Sequence, residues 1–418
     1  MAAAPPSTTA ERAAARRRLK GRLGRVERRR AGRALVLVAP LLAFLLLTFL
    51  APIGRMLYRA VEDPEMGAVL PATAAALRSW DGVGLPPDAA FAALVAEMPA
   101  ALAARGLAAV AQRVNHDLAG FRSLMLRTAR ALPQPPPGDP RAALIGLDPR
   151  WNEPATWAAM RRAAFPLTDF YLLTAVDLRR DADGHIVPAP PELAVFVPVL
   201  VRTLWISALV TALCLALGFP VAQLLATLPA RTSNLLMILV LLPFWTSLLV
   251  RTSAWVVVLQ SEGIVNGLLL RLGLIATPVQ MIFNRFGVVV AMTHVLLPFM
   301  VLPLYSVMKG IPPATMRAAA SLGAPPPTAF VRVYLPQALP GISAGCLLVF
   351  ILALGYYITP ALVGGAEDQM VSYFIAFYTS RTVNWGLAAA LAALLLAATL
   401  ALFAVYARLA GGRGVRLG

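Results

Sequence analysis

The sequence predicts an all-α polytopic membrane protein with six transmembrane helices and a large, mostly helical insert between the first and the second. Three observations carry that fold class. First, 59% of the 418 residues are apolar and the mean hydropathy is +0.72, whereas soluble domains hold near half apolar residues. Second, apolar runs recur at the length a bilayer demands, since a hydrocarbon core of about 30 Å takes roughly 20 helical residues. A helix satisfies its own peptide groups there, where no water is available to do so. Third, the net charge of +17 is concentrated in particular segments, so it reports sidedness.

Residues 1–33 form a basic tail, with eleven Arg or Lys against Glu11 and Glu27. The tail has no interleaved aromatic residues for stacking on bases, so a nucleic-acid partner is not expected. The positive-inside rule places it in the cytoplasm. Residues 34–51 are the first span. Although Arg16-Arg17-Arg18-Leu19-Lys20 loosely matches a twin-arginine signal, the apolar run is longer than a signal core. Pro52-Ile53-Gly54-Arg55 also offers no small-x-small cleavage site, so the helix is expected to stay.

Residues 52–193 differ in composition, with fourteen basic and fifteen acidic residues, and are assigned to the outer side. Helix-forming runs cover Ala89 to Gln112 and Asp117 to Leu132, punctuated by Pro86-Pro87 and Pro99. Leu132 to Pro140 is a stiff proline-rich link. Beyond it, Ala155 to Ala164 reads as helix, and Thr174 to Val187 alternates about Asp181-Ala182-Asp183-Gly184, a hairpin turn. The remaining ligands of a calcium loop are missing, so the turn needs no metal.

Residues 194–418 hold the other five spans, at Thr203 to Leu225, Leu235 to Val250, Phe286 to Met308, Ile342 to Ala361 and Leu387 to Leu409. Arg251 is placed at the outer interface, because a charge at mid-membrane is costly, and Ile264 to Leu272 is read as an interfacial helix. The inside segments then carry Arg231, Lys309, Arg317, Arg332, Arg408, Arg413 and Arg416 with no acid. Both termini are therefore expected in the cytoplasm.

No catalytic residue, metal ligand or cofactor site is expected. Lys20 and Lys309 are each followed by glycine, so no Walker A sequence exists, and no G-x-S-x-G elbow appears. His116, His185 and His294 lie far apart, outside any zinc motif, and His294 is expected to bond a neighbouring helix. Cys214 and Cys346 fall within spans and read as packed apolar residues.

Residues 310–341 carry the most specific signal. Pro312 and Pro313 suit a first helical turn, Ala314 to Leu322 favours helix, and Gly323 supplies a left-handed cap. Pro325 to Pro327 then open a second helix, Thr328 to Tyr334, which Leu335-Pro336 closes. Read on its residues alone, the loop is either a knob for another protein or an amphipathic connector on the membrane surface. Its alanines let a partner approach closely, while Phe330 and Tyr334 supply the contact area of an interface hot spot.

The spacing of Ala318, Ala319, Gly323, Val333, Leu335 and Pro336 resembles the EAA loop by which permease subunits of ABC importers engage their ATPase partner. Arg317 stands where that family has glutamate, and Ser321 where an acid is common, so the usual ion pair is absent or of reversed polarity. Leu242 to Thr252 looks like the third-helix signature of the spermidine/putrescine-type permeases. Leu354 to Gly365 is similar to their fifth-helix exit. The resemblance covers about residues 197–409 and says little of the insert.

This resemblance implies the type I importer (MetI-like) architecture, multi-pass in the bacterial inner membrane, with a periplasmic insert. It implies two cytoplasmic ATPase subunits that bind the ATP, a second homologous permease subunit, a periplasmic substrate-binding protein and surrounding membrane lipid. The coupling residues would be Arg317, Ala318, Ala319, Gly323, Phe330, Tyr334, Leu335 and Pro336. Trp245, Thr246, Tyr356 and Tyr357 are the candidate pathway residues, their aromatic rings acting by cation–π contact; aromatic anchoring at the interface is the plainer alternative. Polyamine is the implied cargo. An opine, an aminophosphonate or ferric iron are alternatives within the class. A membrane-anchored sensor or scaffold is the alternative outside it.

Overall fold

A computed structural model of the chain describes residues 36–133, 138–181 and 184–411. The basic tail, residues 134–137 of the proline-rich link, residues 182–183 of the hairpin turn, Arg413 and Arg416 lie outside the described residues. Among those described, six helices are long and apolar enough to cross a membrane. The chain divides into two compact units, one ending at Tyr58 and one beginning at Arg59.

The described part of the first unit is the helix α1 (Val36–Arg59), whose last residue begins the second. It runs past Ala51, where the sequence places the end of the span at a proline. Leu46–Leu50 winds as a π-turn, with the Ala51 N–H donating to Leu46 O. Proline has no N–H to give, and its ring collides with the carbonyl four residues back. A wider turn just before Pro52 moves that carbonyl aside, so the helix continues.

The second unit has two buried cores, of which the first lies in the insert. There α2 (Glu65–Val69), α3 (Pro71–Ser79), α4 (Asp88–Ala103), α5 (Leu107–Asp117), α6 (Phe121–Ala131), α7 (Pro140–Leu147) and α8 (Pro154–Ala164) close over Phe91, Trp151 and Trp157. The two indole rings lie 5.5 Å apart, and Phe91 is 4.3 Å from Trp157. Both indole N–H groups are satisfied, Trp151 donating to Thr128 Oγ1 and Trp157 to Trp151 O, each at 2.9 Å. Aromatic pairs of this kind contribute about 1 kcal/mol each beyond area burial. The run Ala89 to Gln112 is two helices rather than one, because Arg105 turns the chain at φ 60° and α4 meets α5 at 119°. Both bury apolar faces in this core, so the pair is not a membrane crossing.

The insert is fastened to the spans that follow it. After α9 (Phe170–Ala175) come the antiparallel strands β1 (Leu178–Arg180) and β2 (Ile186–Pro188), the hairpin expected about Asp181. Buried Arg113 of α5 donates from Nε to Asp63 at 2.6 Å and lies over the rings of Phe170 and Tyr171, 4.3 and 5.3 Å from their centroids. Tyr171 in turn seats on Gly386, where a Cβ would stand 2.3 Å from its ring.

The second core is built from α10 (Phe196–Thr227), α11 (Ala230–Leu241), α12 (Leu248–Leu259), α13 (Ile264–Arg271), α14 (Arg285–Lys309), α15 (Pro313–Ser321), α16 (Pro326–Leu354), α17 (Ile358–Val363), α18 (Val371–Ser380) and α19 (Trp385–Gly411). Of the six candidate spans α14 is the most enclosed. At Gly218 of α10 and Gly345 of α16 a Cβ would fall 3.1 and 2.7 Å from the Met300 side chain. Small residues there let three helices close on one methionine. Cys214 and Cys346 are unpaired.

Two spans differ from their sequence reading. The run Leu235 to Val250 is interrupted by a 3-10 turn at Leu242–Trp245, and α12 starts anew after Ser247, whose hydroxyl accepts from Val250 N; the candidate span is Leu248–Arg271, which takes in the run Ile264 to Leu272 read as an interfacial helix. Pro243 denies the helix a donor, and Ser247 is a strong N-cap. The run Ile342 to Ala361 belongs to a longer helix that begins at Pro326 and stops at Leu354, with Gly355 to Tyr357 separating it from α17.

Candidate functional site

α14 ends at the loop of residues 310–341, and Lys309 in its last turn donates from Nζ to Ala226 O of α10 at 3.3 Å. Pro312 is the extended N-cap of α15 and Pro313 its first residue. The helix ends in a Schellman arrangement: Gly323 N donates to Ala320 O and Ala324 N to Ala319 O, both at 3.0 Å, with Gly323 at φ 82°. That geometry satisfies the orphan carbonyls of the last turn and needs a residue without a Cβ penalty. It also throws Leu322 outward, 88% exposed.

The second half of the loop is not a separate closed helix. Four residues of α-helix lead into a π-turn, Phe330–Tyr334, where Leu335 N reaches back to Phe330 O. The chain then passes Pro336 and continues as a membrane span. The device is the one seen before Pro52, in the same register. Leu335 and Pro336 therefore lie inside a continuous helix and terminate nothing.

The orientation of the aromatic pair corrects the sequence reading. Phe330 stacks on Tyr334 at 5.6 Å and meets Phe219 of α10 edge-on at 5.9 Å, and Tyr334 is only 8% exposed. Both rings anchor the loop to its own chain. Ala319 is buried as well, while Arg317, Ala318, Leu322, Gly323, Val331 and Pro336 are exposed and Leu335 is half-buried. Leu322 and Val331 carry the outward apolar surface. A leucine beside a capping glycine was the available signal for the first.

The four candidate pathway residues lie at the two helix breaks. Trp245 ends the 3-10 turn and is 87% exposed. Thr246 is held in its turn, its hydroxyl donating to Pro243 O at 2.9 Å. Arg251, one turn into α12, folds back over the break. Its guanidinium donates to Pro243 O and to Thr246 O, the latter at 2.9 Å, and to Thr246 Oγ1 at 3.4 Å. A discontinuous helix leaves carbonyls that must find donors inside a membrane, and Arg251 supplies them. It stands in the first turn of the candidate span Leu248–Arg271 rather than beyond the end of one.

Tyr356, half-buried, and Tyr357, exposed, occupy the second break. The breaks are joined by a Thr252 to Thr359 hydroxyl contact of 3.4 Å. Alongside, Trp255 Nε1 donates to His294 Nδ1 at 3.2 Å, the interhelical bond expected of His294. Among the described residues no ring contact joins Trp245 to either tyrosine, and no three His, Cys, Asp or Glu side chains group as metal ligands.

Residues 195–413 match the family described as binding-protein-dependent transport system inner membrane component. The spermidine/putrescine transport system permease protein PotB of Escherichia coli (strain K12) is 38% identical over 192 residues, 46% of this chain and 70% of its own. The putative 2-aminoethylphosphonate transport system permease protein PhnU of Salmonella choleraesuis (strain SC-B67) is 30% identical over 225 residues, 53% of this chain and 78% of its own. A solved bacterial alginate ABC transporter, in complex with an alginate pentasaccharide-bound periplasmic protein, shares 18% identity at a TM-score of 0.42, covering 51% of this chain and 77% of that one.

Proposed function

The chain belongs to the binding-protein-dependent transport system inner membrane components, and from that premise we propose that it is the permease subunit of an ATP-driven polyamine importer. ATP is hydrolysed on two partner ATPase subunits, a second permease completes the pathway, and a periplasmic protein delivers the cargo. Both termini and the 310–341 loop face the cytoplasm, where the described inner segments carry Arg231, Lys309, Arg317, Arg332 and Arg408 without an acid. That asymmetry supports the orientation.

The observation that carries the coupling role is the outward Leu322-Gly323 turn on a rigidly anchored loop. The loop's second half and the span that follows are one helix, from Pro326 to Leu354. A displacement imposed on Leu322 and Val331 is therefore carried along α16 to the break at Gly355 to Tyr357. From α17 it passes to α12 through Thr359 and Thr252. Rigid-body reorientation of spans around such breaks is how alternating access is achieved. With Arg317 in place of an acid, docking depends on shape and on acidic partner groups.

The cargo assignment rests on the likeness to PotB. A cation crossing this subunit meets no carboxylate inside α10, α14, α16 or α19 and a single one, Glu262, in the candidate span Leu248–Arg271, so recognition falls mainly to aromatic faces such as Trp245 and Tyr357. Uptake of labelled spermidine into proteoliposomes holding the assembled transporter and its binding protein tests the assignment. Saturable uptake of 2-aminoethylphosphonate without spermidine uptake would move the cargo to the second class, as the likeness to PhnU allows. A transport family leaves the sensor reading without support.

A further inference from the structure

Two adjoining cavities lie where the insert meets the spans, and neither is used by the transport reading. The first, about 290 Å³, is walled by Arg161, Arg162, Arg179 and Arg180 together with Asp117 and Asp169. The second, about 540 Å³, shares Asp117, Phe170, Arg179 and Arg180 with it and is walled below by Phe196, Phe374, Tyr378 and Leu387. Phe196 opens α10 and Leu387 lies in the first turn of α19, so the second cavity, whose aromatic floor is rimmed by His116, Glu192 and Asn384, sits where two membrane spans emerge on the insert's side. Leu193 and Val195 are exposed at its lip.

The charges of the upper cavity do not balance among the described residues. Asp169 is held by Arg180, at 3.0 Å from Nε and 2.5 Å from Nη2. Asp117 is shared between Arg162 at 3.4 Å and Arg113 at 3.6 Å. Arg161 and Arg179 have no carboxylate partner, and the Arg161 Nε is enclosed without any acceptor. An enclosed guanidinium N–H left unmade is costly, and a phosphate supplies oxygens in the geometry a guanidinium fits. Basic side chains at headgroup depth attract anionic lipid.

We propose that this paired cavity binds an anionic phospholipid from the leaflet on the insert's side, with its phosphate between Arg161 and Arg179 and an acyl chain against Phe196, Phe374 and Tyr378. A free phosphate would fill only the upper cavity and leave the aromatic one without an apolar guest. An organic cation is disfavoured by the excess of guanidinium groups. The proposal rests on α10 and α19 being membrane spans, and not on the cargo or on ATP coupling.

The test uses the full-length chain, purified in non-ionic detergent, stripped of lipid and titrated while its thermal melting is followed. Short-chain phosphatidylglycerol is expected to stabilise it saturably, at about tenfold lower concentration than phosphatidylcholine, with inorganic phosphate giving no saturable effect. Equal midpoints for the two lipids, or saturation by inorganic phosphate at the same concentrations as phosphatidylglycerol, would overturn the proposal. Combining Arg161→Gln with Arg179→Gln is expected to weaken phosphatidylglycerol binding about a hundredfold, one charge-assisted bond being lost at each site. Unchanged affinity would also overturn it. Should the double variant melt below the wild type without lipid, Arg179→Gln alone, on an exposed strand, carries the comparison with an expected loss of about tenfold.

Discussion

Substitution of Gly323 isolates backbone geometry from contact. The residue sits at φ 82°, and no heavy atom lies within 4 Å of the place a Cβ would occupy, so an added side chain meets nothing. The cost is conformational, about 1–2 kcal/mol for an L-residue in the left-handed region. It is smaller for Asn, which tolerates that region, and larger for a β-branched residue. Relaxing the backbone instead breaks the bonds from Gly323 N and Ala324 N, both at 3.0 Å, at about 1 kcal/mol each. Either route is local, so membrane insertion and yield are expected to be normal, while the turn that presents Leu322 is lost. ATP-dependent uptake in proteoliposomes and ATPase co-purification are expected to decline in the order Gly, Asn, Ala, Val, with the Ala variant down by about tenfold. Wild-type uptake and ATPase retention by Gly323→Val would refute the coupling geometry. Equal loss in Asn and Val would show that contact, not backbone conformation, is what the position supplies.

Leu322→Ala is expected to leave thermal melting unchanged, since the side chain is 88% exposed, and to weaken ATPase co-purification about tenfold. Tyr334→Ala should do the reverse, destabilising the chain by about 3 kcal/mol through loss of its packing against Phe330, with melting as the readout. Arg251→Lys should not rescue Arg251→Ala in uptake or melting, because one ammonium cannot span the Pro243 and Thr246 oxygens as a guanidinium fork does; full rescue would show that charge alone matters there. Burial lifts the Asp63 carboxyl from 3.8 to about 7, with Glu65 adding to the effect and Arg113 opposing it. A carboxyl with a raised folded-state pKa contributes stability that is fully present below 3.8 and lost as pH rises through about 7. Melting of the insert should therefore fall as pH rises from about 4 to about 7 and level off above that, and Asp63→Asn should flatten the profile.

The spans were legible because their signal is local: an apolar run of the right length is helix in lipid whatever surrounds it. The loop was legible for the same reason, since Pro313 and Gly323 mark the ends of α15 by their own backbone limits. The break at Leu242 to Ser247 had its signals too, in Pro243 and the Ser247 cap, but the apolar run hid them. What could not be read was direction. Three-and-four spacing puts Phe330 and Tyr334 on one face, yet only the arrival of Phe219 from α10 makes that face inward. The Thr252 to Thr359 contact joins residues 107 apart in sequence, and nothing local announces it. The insert likewise reads as a separable segment, whereas Tyr171 seated on Gly386 ties it to α19.

The two π-turns link these points. Each ends two residues before a proline, Leu46–Leu50 before Pro52 and Phe330–Tyr334 before Pro336, and each carries a helix through a residue that reads as a stop. A proline that broke the helix at Leu335-Pro336 would leave a flexible joint between loop and span, and displacement at Leu322 would dissipate there. With the π-turn the helix continues to Leu354, and the wider turn lets the Phe330 and Tyr334 rings stack 5.6 Å apart against α10. The same five residues thus make the loop rigid toward its own span and leave its outer edge, Leu322 and Val331, free for another surface.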